Sequence, residues 1–197
     1  MASAAVNQQL SVRNAFESTS SAITTLSYTN NATWPLYTVP FFESLSANFF
    51  NQTRAELLSF FPKVERDQRM AWEEYSARNY QDWVKQGHLM RYGDLSHLDG
   101  NTSKFHPYIS MKSPTGLVPD VVKDEYFVSW CNSPPPMNYG MINWDVTSIP
   151  DSEEAIQAAL TLKNQVVGSR VRPYSMCTMR DHRLLFRHSI FRTLILI

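Results

Sequence analysis

The sequence predicts an α+β fold: a long N-terminal helix, then an antiparallel or mixed sheet with flanking helices. Three observations predict it. Apolar residues recur at helical spacing through residues 4–29 and again up to residue 87. That spacing is lost from His88 to Asn143, where turn residues multiply, and Pro concentrates between Pro107 and Pro150. A strong helix start then returns at Pro150-Asp151-Ser152-Glu153-Glu154.

In the first segment Val6, Leu10, Phe16, Ile23 and Leu26 fall roughly on one side, which predicts an amphipathic, stalk-like helix over 1–29. Asn30-Asn31 breaks it. Pro40 suits the first turn of a second helix, which carries Phe41, Phe42, Leu45 and Phe49 to about Phe50. Thr53 with Glu56 reads as a capping box opening a third helix, with Leu57, Leu58 and Phe61 inward and Pro62 as its stop. Phe61-Pro62-Lys63-Val64 reads as a short buried strand. Asp67 caps the next helix, and Trp72, Tyr75, Asn79 and Trp83 share one face of it. Gly87 is its expected stop. An aromatic stripe of this kind serves a core or lines a ligand.

Candidate strands follow at Leu89–Tyr92, His106–Met111, Tyr126–Trp130 and Gly140–Asp145, with Pro134-Pro135-Pro136 as a rigid loop. In the last helix Asp151 is the cap, Ala155 through Val167 supply the apolar side, and Gly168 ends it. The tail from residue 169 to 197 is expected to be poorly structured or aberrant. Its end, RDHRLLFRHSIFRTLILI, mixes Arg with apolar residues and is too short and too charged to span a membrane.

Composition narrows the function classes. The chain has 197 residues, enough for one domain with a sizeable core. Its 18 basic and 18 acidic residues leave no net field to draw nucleic acid or an anionic membrane, so neither is expected as a partner. The N-terminus lacks the apolar stretch of a signal peptide, which places the chain, expressed by itself, in the cytoplasm. Cys131 and Cys177 fit no zinc or redox spacing. They leave two readings open, one disulfide in an oxidising compartment or two unpaired buried thiols. Sequons at Asn31, Asn51 and Asn101 are candidate glycosylation sites and lean toward an extracellular face.

Motifs for catalysis are missing. No glycine-rich phosphate loop, nucleophile elbow or two-His helical metal pair occurs, and neither a metal nor a cofactor is expected. Asp94, His97 and Asp99 form a polar loop that could approach a cation, or simply be solvated. The acidic pairs Glu73-Glu74, Asp124-Glu125 and Glu153-Glu154 point about 100° apart if helical and share no acid/base site.

Trp34-Pro35, Pro40, Phe42-Glu43, Phe61-Pro62-Lys63-Val64, Trp72-Glu73, Ser76, Asn79, Trp83 and Gly87 occur in an order that resembles one group of proteins. His106-Pro107-Tyr108-Ile109, Trp130 with Pro134-Pro135-Pro136, and Val146–Ser148 extend the likeness over residues 10–168. The group is the ectodomains of receptor-type adenylate or guanylate cyclases of diatoms and related algae. A more distant likeness is to CHASE-type extracellular sensors.

The resemblance implies a PAS-like (CHASE/Cache-type) sensor domain over 30–168, incomplete here, and a stalk at 1–29. It further implies a parent receptor whose membrane helices and cyclase domain lie outside this chain, so no catalytic residue is carried over. The expected partners are a small-molecule ligand and a second copy, paired through the N-terminal helix. Expected ligand contacts are Trp72, Tyr75, Tyr108, Tyr126 and Trp130, with Arg66, Arg69 or Lys63 facing an anionic group. A stand-alone soluble enzyme with a dispersed site and a non-functional truncated fragment are the competing expectations.

Overall fold

A computed structural model describes residues 2–98, 105–149, 152, 153, 156 and 193–196. It is a mixed α+β structure of three long helices and small, mostly antiparallel sheets.

Helix α1 runs over Ala2–Thr29. It buries Val12, Ala15, Phe16, Thr19 and Ile23, spaced by three or four, against α2 (Phe42–Thr53). Leu10, expected on that stripe, instead faces solvent, although its neighbour Ser11 donates to the Gln52 carbonyl of α2 (3.1 Å). Helix α2 begins two residues after Pro40, because Phe41 takes a left-handed conformation (φ 53°) as its N-cap. Phe41 is consequently exposed, while Phe42 and Phe49 are buried.

The helix expected to open at Thr53 does not form. Thr53 closes α2: its hydroxyl donates to the Phe49 carbonyl (2.8 Å) and accepts from the Ala55 amide (3.1 Å). Leu57–Phe60 is strand β1. A Thr-x-x-Glu spacing is a local signal, and it loses to β1's ladder with β6 (Cys131–Ser133).

The second strand, β2 (Lys63–Glu65), pairs antiparallel with β5 (Glu125–Phe127). The two ladders are one ribbon with a bulge. Phe60 pairs Cys131 and Lys63 pairs Phe127, so Phe61 and Pro62 oppose three residues, Val128, Ser129 and Trp130. Pro62 cannot donate a ladder bond, which makes this the place for the break. Its carbonyl still accepts from the Val128 amide (3.2 Å). The bulge turns Ser129's backbone away from β1: its amide donates to the Trp144 carbonyl (2.7 Å) and its carbonyl accepts from the Asn143 amide (3.1 Å). Residues 143–145 in turn bond Ser110, the first residue of β3 (Ser110–Ser113), which forms a hairpin with β4 (Gly116–Pro119). The segment expected as a strand over Gly140–Asp145 therefore contributes only isolated bridges, preceded by a 3-10 turn at Tyr139–Met141. Strand β7 (Thr193–Leu196) pairs parallel with β1. Residues 169–192 and Ile197, the rest of the expected tail, lie outside the described residues, as does most of the helix expected from Asp151. Of that helix, Ser152 and Glu153 both donate amides to the Ile149 carbonyl (3.0 Å), and Ile156 is buried with Phe61, Phe127 and Val146.

Helix α3 spans Arg69–Tyr92 and packs across the ribbon at β2 and β6. The N-cap of α3 is Gln68 rather than Asp67, and the capping box belongs to the preceding 3-10 turn Arg66–Gln68, where the Glu65 amide donates to the Gln68 side chain (3.1 Å). Gly87 does not stop α3, and Leu89–Tyr92 is helix rather than strand. The stop is Gly93, with φ 80°. Gly87 is needed for close approach, since a Cβ there would stand 3.0 Å from Pro135 Cβ. Gly87→Ala is expected to lower stability by about 1 kcal/mol, the overpacking against a stiff proline exceeding the gain in helix propensity. Urea denaturation of the two forms reads it.

Candidate functional site

Trp72, Tyr75 and Trp130, three of the expected ligand contacts, do come together. Trp130 meets the edge of Trp72 (5.2 Å between ring centres), with Tyr75 at 6.0 Å and Trp83 at 5.7 Å. Trp72 and Trp130 are wholly buried, and their polar atoms are engaged. The Trp130 indole N–H donates to Thr38 Oγ1 (3.0 Å), which lies 2.7 Å from the Tyr75 hydroxyl. The Trp72 indole donates to Asn143 Oδ1 (3.2 Å). Asn143 donates from Nδ2 to Ser76 Oγ (2.7 Å) and the His106 carbonyl (3.0 Å). These rings form the centre of the core.

Arg69 and Tyr126 meet at a second node. The Arg69 guanidinium donates to Glu73 (2.8 Å), the Tyr126 hydroxyl (3.0 Å) and the carbonyls of Asp120 and Ile109. Glu73 also accepts from the Ile109 amide (2.9 Å). The arginine ties α3 to the sheet, and its donors are directed at protein groups. Arg66 is exposed and paired with Asp124 (2.8 Å), and Lys63 with Glu125 (2.8 Å). Tyr108 is half-buried beside His106 (5.4 Å between rings).

A buried acid pair lies next to Tyr126. The carboxyls of Asp120 and Asp145 are fully buried, and the Lys123 ammonium donates to both (3.1 and 2.7 Å). Asp145 Oδ1 accepts from the amides of Phe127 (3.2 Å) and Thr147 (3.1 Å). Asp120 Oδ1 has no partner. Burial and the neighbouring Asp145 carboxyl push the Asp120 carboxyl above its ordinary range, against the pull of Lys123.

The polar loop after α3 is self-contained in its described part. Asp94 Oδ1 accepts from the amide and hydroxyl of Ser96 (2.8 and 2.6 Å), and the His97 ring lies tilted against Tyr92 (4.3 Å between ring centres); Asp99 is outside the described residues. Among the described residues no three His, Cys, Asp or Glu side chains group to hold a metal ion, and no helix is long and apolar enough to cross a membrane. Cys131 is a free, buried thiol, pushed up to about 12 by burial. Cys177, its expected alternative partner, lies outside the described residues. A thiol held neutral is neither nucleophile nor metal ligand. Cys131 is expected to resist iodoacetamide at pH 8 in the native chain and to react once urea unfolds it, as peptide mass spectrometry would show. Asn31 and Asn51 are exposed, and Asn101 is outside the described residues.

One cleft combines enclosure with unused polar atoms. It lies between α2 and α3 beside β6, lined by Val39, Phe42, Glu43, Trp83, Gln86, Gly87, Met90 and Asn132. Glu43 is 9% exposed; its Oε1 pairs with Arg91, and its Oε2 has no partner. Trp83 is 7% exposed, and its indole N–H has no partner either. Its ring faces Trp130, so the cleft adjoins the aromatic core. Sequence reasoning gave Trp83 only a place on the aromatic face and gave Glu43 no role as a contact. An acid in the first turn of a helix reads as a partner for the helix dipole, which hides any other use.

Compared with known proteins, the chain matches no family model, no curated protein and no solved structure.

Proposed function

We propose that this chain is the ligand-sensing region of a membrane receptor that regulates cyclic-nucleotide synthesis, with the bond-making machinery elsewhere in the receptor. The observation that carries this is a convergence. Phe42, Glu43, Trp83 and Gly87, four of the landmarks behind the resemblance, line a cleft in which Glu43 and Trp83 each carry a buried polar atom without a partner. Sites that bind small molecules combine an apolar wall with a few aimed polar groups.

The cleft is also placed to transmit. Helix α2 supplies Phe42 and Glu43 to the cleft and also packs on α1. A ligand that moves Glu43 therefore acts on the helix against which α1 lies. Trp83 passes the same contact to Trp130 and, through Thr38 and Tyr75, to the chain that enters α2. A small shift of α1 across a dimer is the expected output. Leu10 and Tyr28, both exposed, lie five helical turns apart on one side of α1, suited to pairing with a second copy. A PAS-like core accords with α3 lying across a bulged, largely antiparallel ribbon, and exposed Asn31 and Asn51 accord with an extracellular setting.

Spin labels at Leu10→Cys in a Cys177→Ser background test this reading. A compound that raises the melting temperature in a metabolite screen is expected to shift the label-to-label distance between the α1 helices of a dimer. Binding without any such shift, or turnover of a substrate by the purified chain unaided, overturns it.

A further inference from the structure

The wall of the cleft between α2 and α3 includes Glu43 and Trp83, each with a buried polar atom that has no partner. We propose that the cleft takes a neutral hydroxyl, whose O–H donates to Glu43 Oε2 and whose oxygen accepts from the Trp83 indole N–H, on a small alcohol or polyol. This deepens the sensor reading and rests on it only for the consequence of binding, not for the binding itself.

A buried N–H or carboxylate oxygen without a partner is costly, and Glu43 and Trp83, which both line this cleft, carry one of each. The missing group must therefore donate and accept together. An ammonium only donates; it leaves the indole unmet and stands beside the Arg91 guanidinium that already pairs with Glu43. A carboxylate or phosphate only accepts, and it meets the Glu43 carboxylate. A hydroxyl does both and carries no charge. The side-chain amide of Asn132, also in the wall, is committed through Nδ2 to Ser129 Oγ (3.3 Å) and the Trp130 carbonyl (3.4 Å).

Size agrees. The enclosed space is ≈ 10 Å³, about one water-sized group. A single hydroxyl fills it, and the ligand's body rests at the mouth, where Met90 is 41% exposed. Val39, Phe42 and the Cα of Gly87 supply apolar wall, and Gln86 adds one further polar side chain. A lone water has the same bonding capacity, so the test separates the two.

The probes are cyclohexanol, cyclohexylamine and cyclohexanecarboxylate, which share a ring and differ in head group. They are titrated into the ¹⁵N-labelled chain while the Trp83 indole N–H resonance is followed, assigned by its loss in Trp83→Phe. Cyclohexanol is expected to shift that resonance saturably, and Trp83→Phe, read by calorimetry, to weaken its binding by about fivefold to tenfold, the loss of one hydrogen bond. The other two are expected to bind at least that much more weakly than cyclohexanol. Tighter binding of the amine or the acid overturns the hydroxyl assignment. So does an unmoved indole resonance with a persistent cross-peak to a long-lived water, which makes the site a structural water only. If cyclohexanol binds as stated while labels on α1 stay still, the site stands and the sensor reading fails.

Discussion

Lys123→Met is expected to lower stability by about 3 kcal/mol at neutral pH, because it removes a cation that pairs with two fully buried carboxyls. Two carboxylates cannot both stay ionised there without it, so Asp120 must take up a proton or the pair must open to water. The wild-type chain already leans that way, since burial and Asp145 raise the Asp120 pKa. The sign of the pH effect follows. A carboxyl whose folded pKa lies above its ordinary value of 3.8 binds more protons folded than unfolded between those two values. Stability therefore falls as pH rises through that window and is flat above it. Removing Lys123 takes away the group that holds Asp120 down, so the window extends upward and the fall becomes steeper. Urea unfolding of both forms at a series of pH values is expected to show the deficit largest at neutral pH and shrinking toward acid. Adding Asp120→Asn, a neutral stand-in for the protonated acid, is expected to restore part of the loss. A deficit that is constant with pH, or grows toward acid, would show that Lys123 acts through packing alone.

Asn143→Ala is expected to cost about 3–4 kcal/mol, from two buried polar groups left unmet and a backbone strained by the new residue. The Trp72 indole N–H and the His106 carbonyl lose their partners, and Ser76 Oγ loses a donor. Asn143 also holds φ 63°, a conformation Asn adopts far more readily than Ala. Asn143→Gly separates the contributions: it keeps the backbone, loses the same bonds, and is expected to be about 1 kcal/mol more stable than the Ala form. Asn143→Asp keeps the acceptor for Trp72 but sets a carboxylate against the His106 carbonyl, and is expected to be the least stable of the three. Equal stability of the Gly and Ala forms would remove the backbone part of the account.

Much of the fold was legible where the signal is local. Asn30-Asn31 ends α1, and Trp72, Trp83 and Trp130 are buried aromatics, as helical spacing and residue type indicate. The misreadings share a cause. Thr53 and Glu56 carry the spacing of a helix start, yet Leu57–Phe60 finds a strand partner in Cys131–Ser133, remote in sequence. Gly87 carries the mark of a helix end, yet Pro135 occupies the space its side chain would need. The site follows the same rule. Glu43 and Trp83 gave no joint signal, because nothing in their own segments indicates that one helix sets them around one cleft with the other.

The sequence by itself determined the α+β class, the break after α1 and the buried aromatic face of α3, because periodicity and breakers act over a few residues. Tertiary structure alone decided the bulge at Pro62, the role of Gly87, the sharing of Lys123 by two buried acids and the two unmet polar atoms of the cleft. Each of these depends on which distant surface arrives opposite, and on how much water that arrival removes.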